Sequence, residues 1–146
     1  MAGLAHDGNA VRRDGGCLCR AVRFSVLGDP LRVGLCHCAD CRKYSGSAFT
    51  EFAVWDRGAF DVQGQFATYE GRSFCAQCGA RLFSLRPDEA EIMVGSFDAA
   101  PTDLIPSYEL WIKRREAWLQ QLPWAGQFDE DRTDAEGARQ DDARME

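Results

Sequence analysis

Alternation of apolar and polar residues with a period of two dominates this chain. In residues 20–26, Val22, Phe24 and Val26 fall on one face with polar residues between them, which predicts a half-buried strand. Gly28-Asp29-Pro30 turns the chain, and Leu31, Val33 and Leu35 then alternate into Cys36. Residues 42–46 read as a short helical turn or loop. Phe49, Phe52, Val54 and Trp55 predict a strand that ends at the Asp56-Arg57-Gly58 turn. Further short strands are predicted at 60–62, 66–69, 72–74, 81–85, 91–94 and 108–112. No segment sustains a period of 3.6 over four turns. The expected fold class is therefore mainly β, with strand edges that need covering.

Composition agrees with a folded domain: hydrophobic residues make up 45% of 146 positions, with nine Phe and four Trp. No apolar run approaches the ~18 residues needed to span a membrane. Residues 1–14 read as a loose polar lead-in with no apolar stretch of signal-peptide kind, so a cytoplasmic protein with reduced thiols is expected. The net charge of -6 is mostly local. Residues 126–146 hold eight acids and three bases, whereas residues 1–125 hold fifteen acids and fourteen bases. A near-neutral body offers no basic surface for nucleic acid. The expected organisation is a lead-in at 1–14, one domain at 15–131 and an acidic tail at 132–146. A weak solvated helix is expected within that tail, at 135–144. Oligomeric state is not readable from the sequence.

The chemistry lies in seven cysteines that fall into three tight clusters: Cys17 and Cys19; Cys36, Cys38 and Cys41; Cys75 and Cys78. Thiolates two or three residues apart are the usual material of zinc sites. Seven ligands divide into a closed site of four and an open site of three. Cys17, Cys19, Cys75 and Cys78 form the expected structural site, in which Gly79 after Cys78 allows a tight turn around the metal. Arg20 and Arg81 stand beside these thiolates in the sequence. A disulfide, a pair of inert thiols or an iron–sulfur centre are the other readings of the same four residues. Cys36, Cys38 and Cys41 leave a coordination position free for water, hydroxide or a thiol, as a catalytic zinc requires. His37 lies between two of these ligands and is expected at the rim of the site instead of on the metal. Arg42 and Lys43 follow directly and are candidates for holding an anionic substrate.

These three segments carry a resemblance. Gly15-Gly16-Cys17-Leu18-Cys19, Cys36-His37-Cys38-Ala39-Asp40-Cys41-Arg42 and Phe74-Cys75-Ala76-Gln77-Cys78-Gly79 resemble, in order and spacing, the signature of the glutathione-dependent formaldehyde-activating enzyme and centromere protein V family. Gly95-Ser96-Phe97-Asp98 and the stretch from Pro106 to Trp118 resemble further parts of it. The resemblance implies a β-tent, a set of antiparallel sheets stapled by zinc. It implies Cys17, Cys19, Cys75 and Cys78 as structural ligands and Cys36, Cys38 and Cys41 as ligands of a catalytic zinc. The implied activity is that of a carbon–sulfur lyase, which joins glutathione and formaldehyde reversibly into S-(hydroxymethyl)glutathione. Its partners would be a small thiol and an aldehyde, with no nucleic acid and no membrane. The competing expectation is a non-catalytic, zinc-stapled β-tent binding module.

Overall fold

A computed structural model describes residues 10–133, which form eleven strands and one short helix. The expected helix at 135–144, and all but the first two residues of the expected tail, lie outside the described residues. The described chain is mainly β, with open sheets. It forms two compact units, one made of residues up to 32 and 53–104, the other of 33–52 and residues from 105 onward.

In the first unit, β1 (Arg12–Gly16), β2 (Arg23–Leu27) and β5 (Phe60–Gln63) make an antiparallel sheet in the order β1-β2-β5. The alternation read at Val22, Phe24 and Val26 holds: all three are buried. At residues 12–14 a strand stands where a loose lead-in was expected, since Arg12, Arg13 and Asp14 pair with Leu27, Val26 and Ser25, and residues 1–9 of that lead-in lie outside the described residues. Its side chains are polar and only Gly15 is buried, so it carries no apolar period. The Arg13 side chain also bonds to Gly28 O at 2.9 Å and to the Asp103 carboxylate. Strands β6 (Phe66–Tyr69), β7 (Arg72–Cys75), β8 (Arg81–Leu85) and β9 (Glu89–Met93) follow as neighbours in an antiparallel run. The core of this unit is aromatic. Phe83 packs edge-on against Phe24, Phe60 and Phe66 at ring separations of 5.0–6.0 Å, and Phe24 packs likewise on Phe97. Such edge-to-face pairs add ~0.5–1.5 kcal/mol each beyond the area they bury.

The second unit is built around β3 (Arg32–Cys36), the helix α1 (Ala39–Ser45), the beginning of β4 (Thr50–Asp56), β10 (Tyr108–Leu110) and β11 (Gly126–Gln127). Strand β10 runs parallel to both β3 and β11, with Leu110 opposite Cys36 and Tyr108 opposite Gly34. Gly34 is needed for this packing. A Cβ there would lie 2.8 Å from the Tyr108 ring and 2.9 Å from the Phe52 ring, which stack edge-on at 6.0 Å. Gly34→Ala is expected to destabilise the protein by about 1–3 kcal/mol through overpacking. Denaturant unfolding would read this, and an unchanged midpoint would show that the two rings can yield. The helical turn or loop expected at 42–46 is part of a helix that starts three residues earlier, at Ala39, and is capped by Gly46, whose φ of 69° suits a left-handed cap. The strand expected at 108–112 stops at Leu110, because Trp111 turns the chain with a φ of 56°.

Candidate metal centres

The first cluster is assembled by two turns of the first unit. After β1 the chain folds back on itself, with Cys17 N–H donating to Val22 O at 3.1 Å and Arg20 taking a left-handed φ of 72°. The second turn follows β7, where Cys75 N–H donates to Ala80 O and Gly79 N–H to Cys75 O. Gly79 has a φ of 78°, the conformation its place after Cys78 was expected to require. Together the turns bring the sulfurs of Cys17, Cys19, Cys75 and Cys78 within 4.8 Å of one another. Cys17 and Cys75 are buried, Cys19 is exposed and Cys78 half-buried.

Backbone amides aim at these sulfurs. Val22 N–H reaches Cys17 Sγ at 3.2 Å, and the N–H groups of Gln77 and Cys78 reach Cys75 Sγ at 3.3 and 3.4 Å. The N–H groups of Ala80 and Cys19 hold the Cys78 thiol down at about 6. These donors favour thiolate charge at Cys17, Cys75 and Cys78, whereas at Cys19 the Ala21 N–H pulls the thiol down but burial and the three neighbouring sulfurs push it up to about 11. The sulfurs of Cys17 and Cys19 lie 3.7 Å apart and those of Cys19 and Cys75 3.8 Å apart. A disulfide needs about 2.05 Å, whereas four thiolates at ~2.3 Å around a tetrahedral zinc stand roughly 3.8 Å apart. The donor set and its spacing fit zinc.

The second cluster lies wholly in the second unit. Cys36 ends β3, Cys38 caps α1 and Cys41 sits in its first turn; their sulfurs also lie within 4.8 Å of one another, and all three residues are buried. Cys38 Sγ does the work of an N-cap side chain, accepting Cys41 N–H at 3.2 Å. Thr50 Oγ1 donates to Cys41 O at 3.0 Å and fixes the helix start from β4. The Cys36 and Cys41 side chains, and then the N–H groups of Cys41 and Asp40, hold the Cys38 thiol far below its ordinary value. Among the described residues, no further His, Cys, Asp or Glu joins this group. Three thiolates without a fourth protein ligand are the donor set of an open zinc site.

His37 is not at a rim. It is fully buried, with Nε2 at 2.8 Å from Oε1 of the equally buried Glu109. Glu109 also accepts Leu122 N–H at 2.8 Å and Gln127 Nε2 at 3.1 Å, and Arg115 Nη2 lies 3.3 Å from Oε1. Burial alone would raise the Glu109 pKa, but Leu122, Gln127, His37 and Arg115 together keep it below the usual carboxylate range. Burial pushes the His37 pKa down against the pull of Glu109. Glu109 is thus an acceptor only, and the His37 proton belongs on Nε2. Sequence reading passed over Glu109, since one acid in the strand expected at 108–112 reads as a solvent-facing residue.

Arg42 and Lys43 follow Cys41 on α1. The Arg42 guanidinium is engaged by the Glu116 carboxylate and by the carbonyls of Arg114 and Ala48 at 3.2 and 3.5 Å. It ties residues 114–116 to the helix. Lys43 is exposed.

With both clusters placed, comparison with known proteins identifies the relationship. The sequence profile of the glutathione-dependent formaldehyde-activating enzyme family matches residues 12–114. The chain belongs to this family. An uncharacterized lyase of Schizosaccharomyces pombe is 28% identical over 75 residues, covering 48% of this chain and 55% of that protein. The chain thus matches about half the length of that curated relative. A crystal structure of a Rhodobacter sphaeroides protein is similar over 60% of this chain and 91% of that one, at 21% identity and a TM-score of 0.47. Among the described residues, no helix is long and apolar enough to cross a membrane.

Proposed function

We propose that this protein is a zinc-dependent carbon–sulfur lyase or synthase. It would act on a thiol–aldehyde adduct of the S-(hydroxymethyl)glutathione kind, within a β-tent stapled by a structural zinc. One observation carries the reading: three buried cysteines converge in one loop, and no fourth ligand joins them among the described residues. Family membership supports the same class of reaction. Cys17, Cys19, Cys75 and Cys78 would hold the structural zinc, and Cys36, Cys38 and Cys41 the catalytic one. A zinc with three thiolates and a free position supplies Lewis acidity to a substrate oxygen or sulfur.

In adduct cleavage the hydroxyl proton leaves and its electron pair forms the carbonyl. The carbon–sulfur bond breaks, and sulfur departs as a thiolate. Synthesis is the reverse, with the thiolate attacking the aldehyde carbon. The protein's part is to hold three thiolates rigid and to place cationic residues nearby. A supply of reduced cysteines suits a reducing compartment such as the cytoplasm.

The test is exchange spectroscopy on glutathione, formaldehyde and their adduct at equilibrium. Zinc-loaded protein should speed the interconversion in proportion to its concentration, and protein stripped of its weaker zinc should not. An exchange rate indifferent to loaded protein would sink the enzymatic reading and leave the zinc-stapled binding module.

Arg42 and Lys43 remain the proposed cationic side of the substrate site, with different parts. Lys43 is free to meet a carboxylate, while Arg42 holds residues 114–116 in place beside the last cysteine. Lys43→Ala is expected to raise the glutathione concentration for half-maximal rate about twofold at low salt and less at high salt, with kcat unchanged. Initial rates at two ionic strengths would check this; identical thiol dependence in parent and variant removes Lys43 from the site.

A further inference from the structure

The Glu109 network is more elaborate than packing requires. Four groups from separate points of the second unit converge on one carboxylate that is 1% exposed: His37 from the cysteine loop, Arg115 after the turn that follows β10, Leu122 N–H from the loop beyond, and Gln127 of β11. A buried ion network of this kind is often no more stabilising than apolar residues of the same volume. What it supplies is a defined geometry, because each donor has one acceptable direction and a missing partner is costly.

The anchored end of the network matters most. His37 lies between Cys36 and Cys38, so its ring and the two neighbouring thiolates share one stretch of backbone. His37 N–H donates to Leu110 O at 3.0 Å, the residue after Glu109. Both the main chain and the side chain of His37 are therefore fastened to β10. The rest of the loop is held independently, by Thr50 on Cys41 O and by Arg42 on residues 114–116. A loop fixed in this way loses little further entropy when its thiolates take up a metal.

We propose that Glu109 is a positioning residue for the three-cysteine site. Acting through His37, it locks the Cys36–Cys41 loop to the segment from 109 to 127, so that metal affinity at the loop depends on a carboxylate one strand away. This rests on the reading of the second cluster as a metal site, and the experiment separates the two. It also predicts reciprocity: what orders the 109–127 segment strengthens the loop's hold on metal, and metal at the loop orders the segment.

The test titrates Co(II), as a visible stand-in for zinc, into the full-length metal-free protein and follows the thiolate charge-transfer and ligand-field bands. The parent should take up two ions, the weaker at the three-cysteine loop. His37→Leu, which removes the donor to Glu109, should weaken the second ion about tenfold or more and shift its ligand-field bands, with the first ion and the circular dichroism unchanged. His37→Gln, whose amide can still donate to Glu109, should recover most of the affinity. In the parent, the second ion should also slow amide exchange at Leu122, and in His37→Leu it should not. Parent-like binding of the second ion by a folded His37→Leu protein overturns the proposal. So does a His37→Gln protein no better than His37→Leu, since the bond to Glu109 would then be irrelevant. If His37→Leu does not fold, Glu109→Met, which is close in length and offers His37 no oxygen to bond, is read by the same bands, and unchanged affinity for the second ion there is equally decisive against the proposal. A parent that takes up one ion only removes both the catalytic site and this role; two ions with indifferent variants remove this role alone.

Discussion

Cys75→Ser is expected to leave the protein unfolded or barely folded at room temperature. Cys75 is buried at 1% exposure, accepts two backbone N–H groups on its sulfur and opens the second of the two turns that supply the first cluster. Those turns are about sixty residues apart in the chain, so a metal between them closes a long loop. Structural zinc contributes folding free energy outright, on the order of 10 kcal/mol in small domains. That exceeds most of the ~5–15 kcal/mol by which a domain of this size is stable. Serine is protonated at neutral pH and cannot replace the thiolate. Circular dichroism and denaturant unfolding, with and without added zinc, would read the effect. A chelator strong enough to strip the parent should reproduce it. A Cys75→Ser midpoint within about 1 kcal/mol of the parent would mean that the four sulfurs are merely close neighbours.

What the sequence revealed and what it hid follow from the range of the forces involved. Strands at Phe66–Tyr69 and Arg81–Leu85 were readable to the residue, because local turns bound them and their composition suits strands. The division of the cysteines into four and three was readable because ligand spacing within a turn is a local property and the arithmetic of seven leaves few partitions. Strand β1 was not readable: its pairing with β2 is set by backbone bonds, and the side chains that confirm it, Arg13 with Gly28 and Asp103, find partners up to ninety residues away. The two-residue strand β11 is too short to show any period.

The same distinction separates the candidate ligands from their supports. Nothing local to His37 distinguishes a rim histidine from a buried one; the difference is Glu109, 72 residues on. Nothing local to Arg42 shows that its charge is met by Glu116, 74 residues on. Alternation gives 108–112 as a strand that holds one acid, Glu109. With β3 on one side and β11 on the other, that strand is interior, so even its polar side chain is buried and must be matched. Ligands announce themselves by spacing, whereas the groups that hold them do so only through contacts.

Cys38→Ser should separate the two centres. Serine is among the best N-cap residues, and its Oγ can accept the Cys41 N–H that Cys38 Sγ accepts now. Helix α1 therefore keeps its cap, and Thr50, Arg42 and the Glu109 network still hold the loop. Closing this six-residue loop by a metal removes little chain entropy, so its loss should move the stability of the fold by no more than about 1 kcal/mol. The metal itself does not survive the change: two thiolates and a protonated hydroxyl make a poor zinc site. The expected protein holds one zinc, gives the parent's circular dichroism and unfolding curve, and leaves adduct exchange at the rate seen without protein. Metal content and exchange spectroscopy on the same preparation would decide. Loss of both zinc ions together with the fold would make the two clusters one interdependent centre, and full exchange activity in a variant with one zinc would remove Cys36, Cys38 and Cys41 from the chemistry.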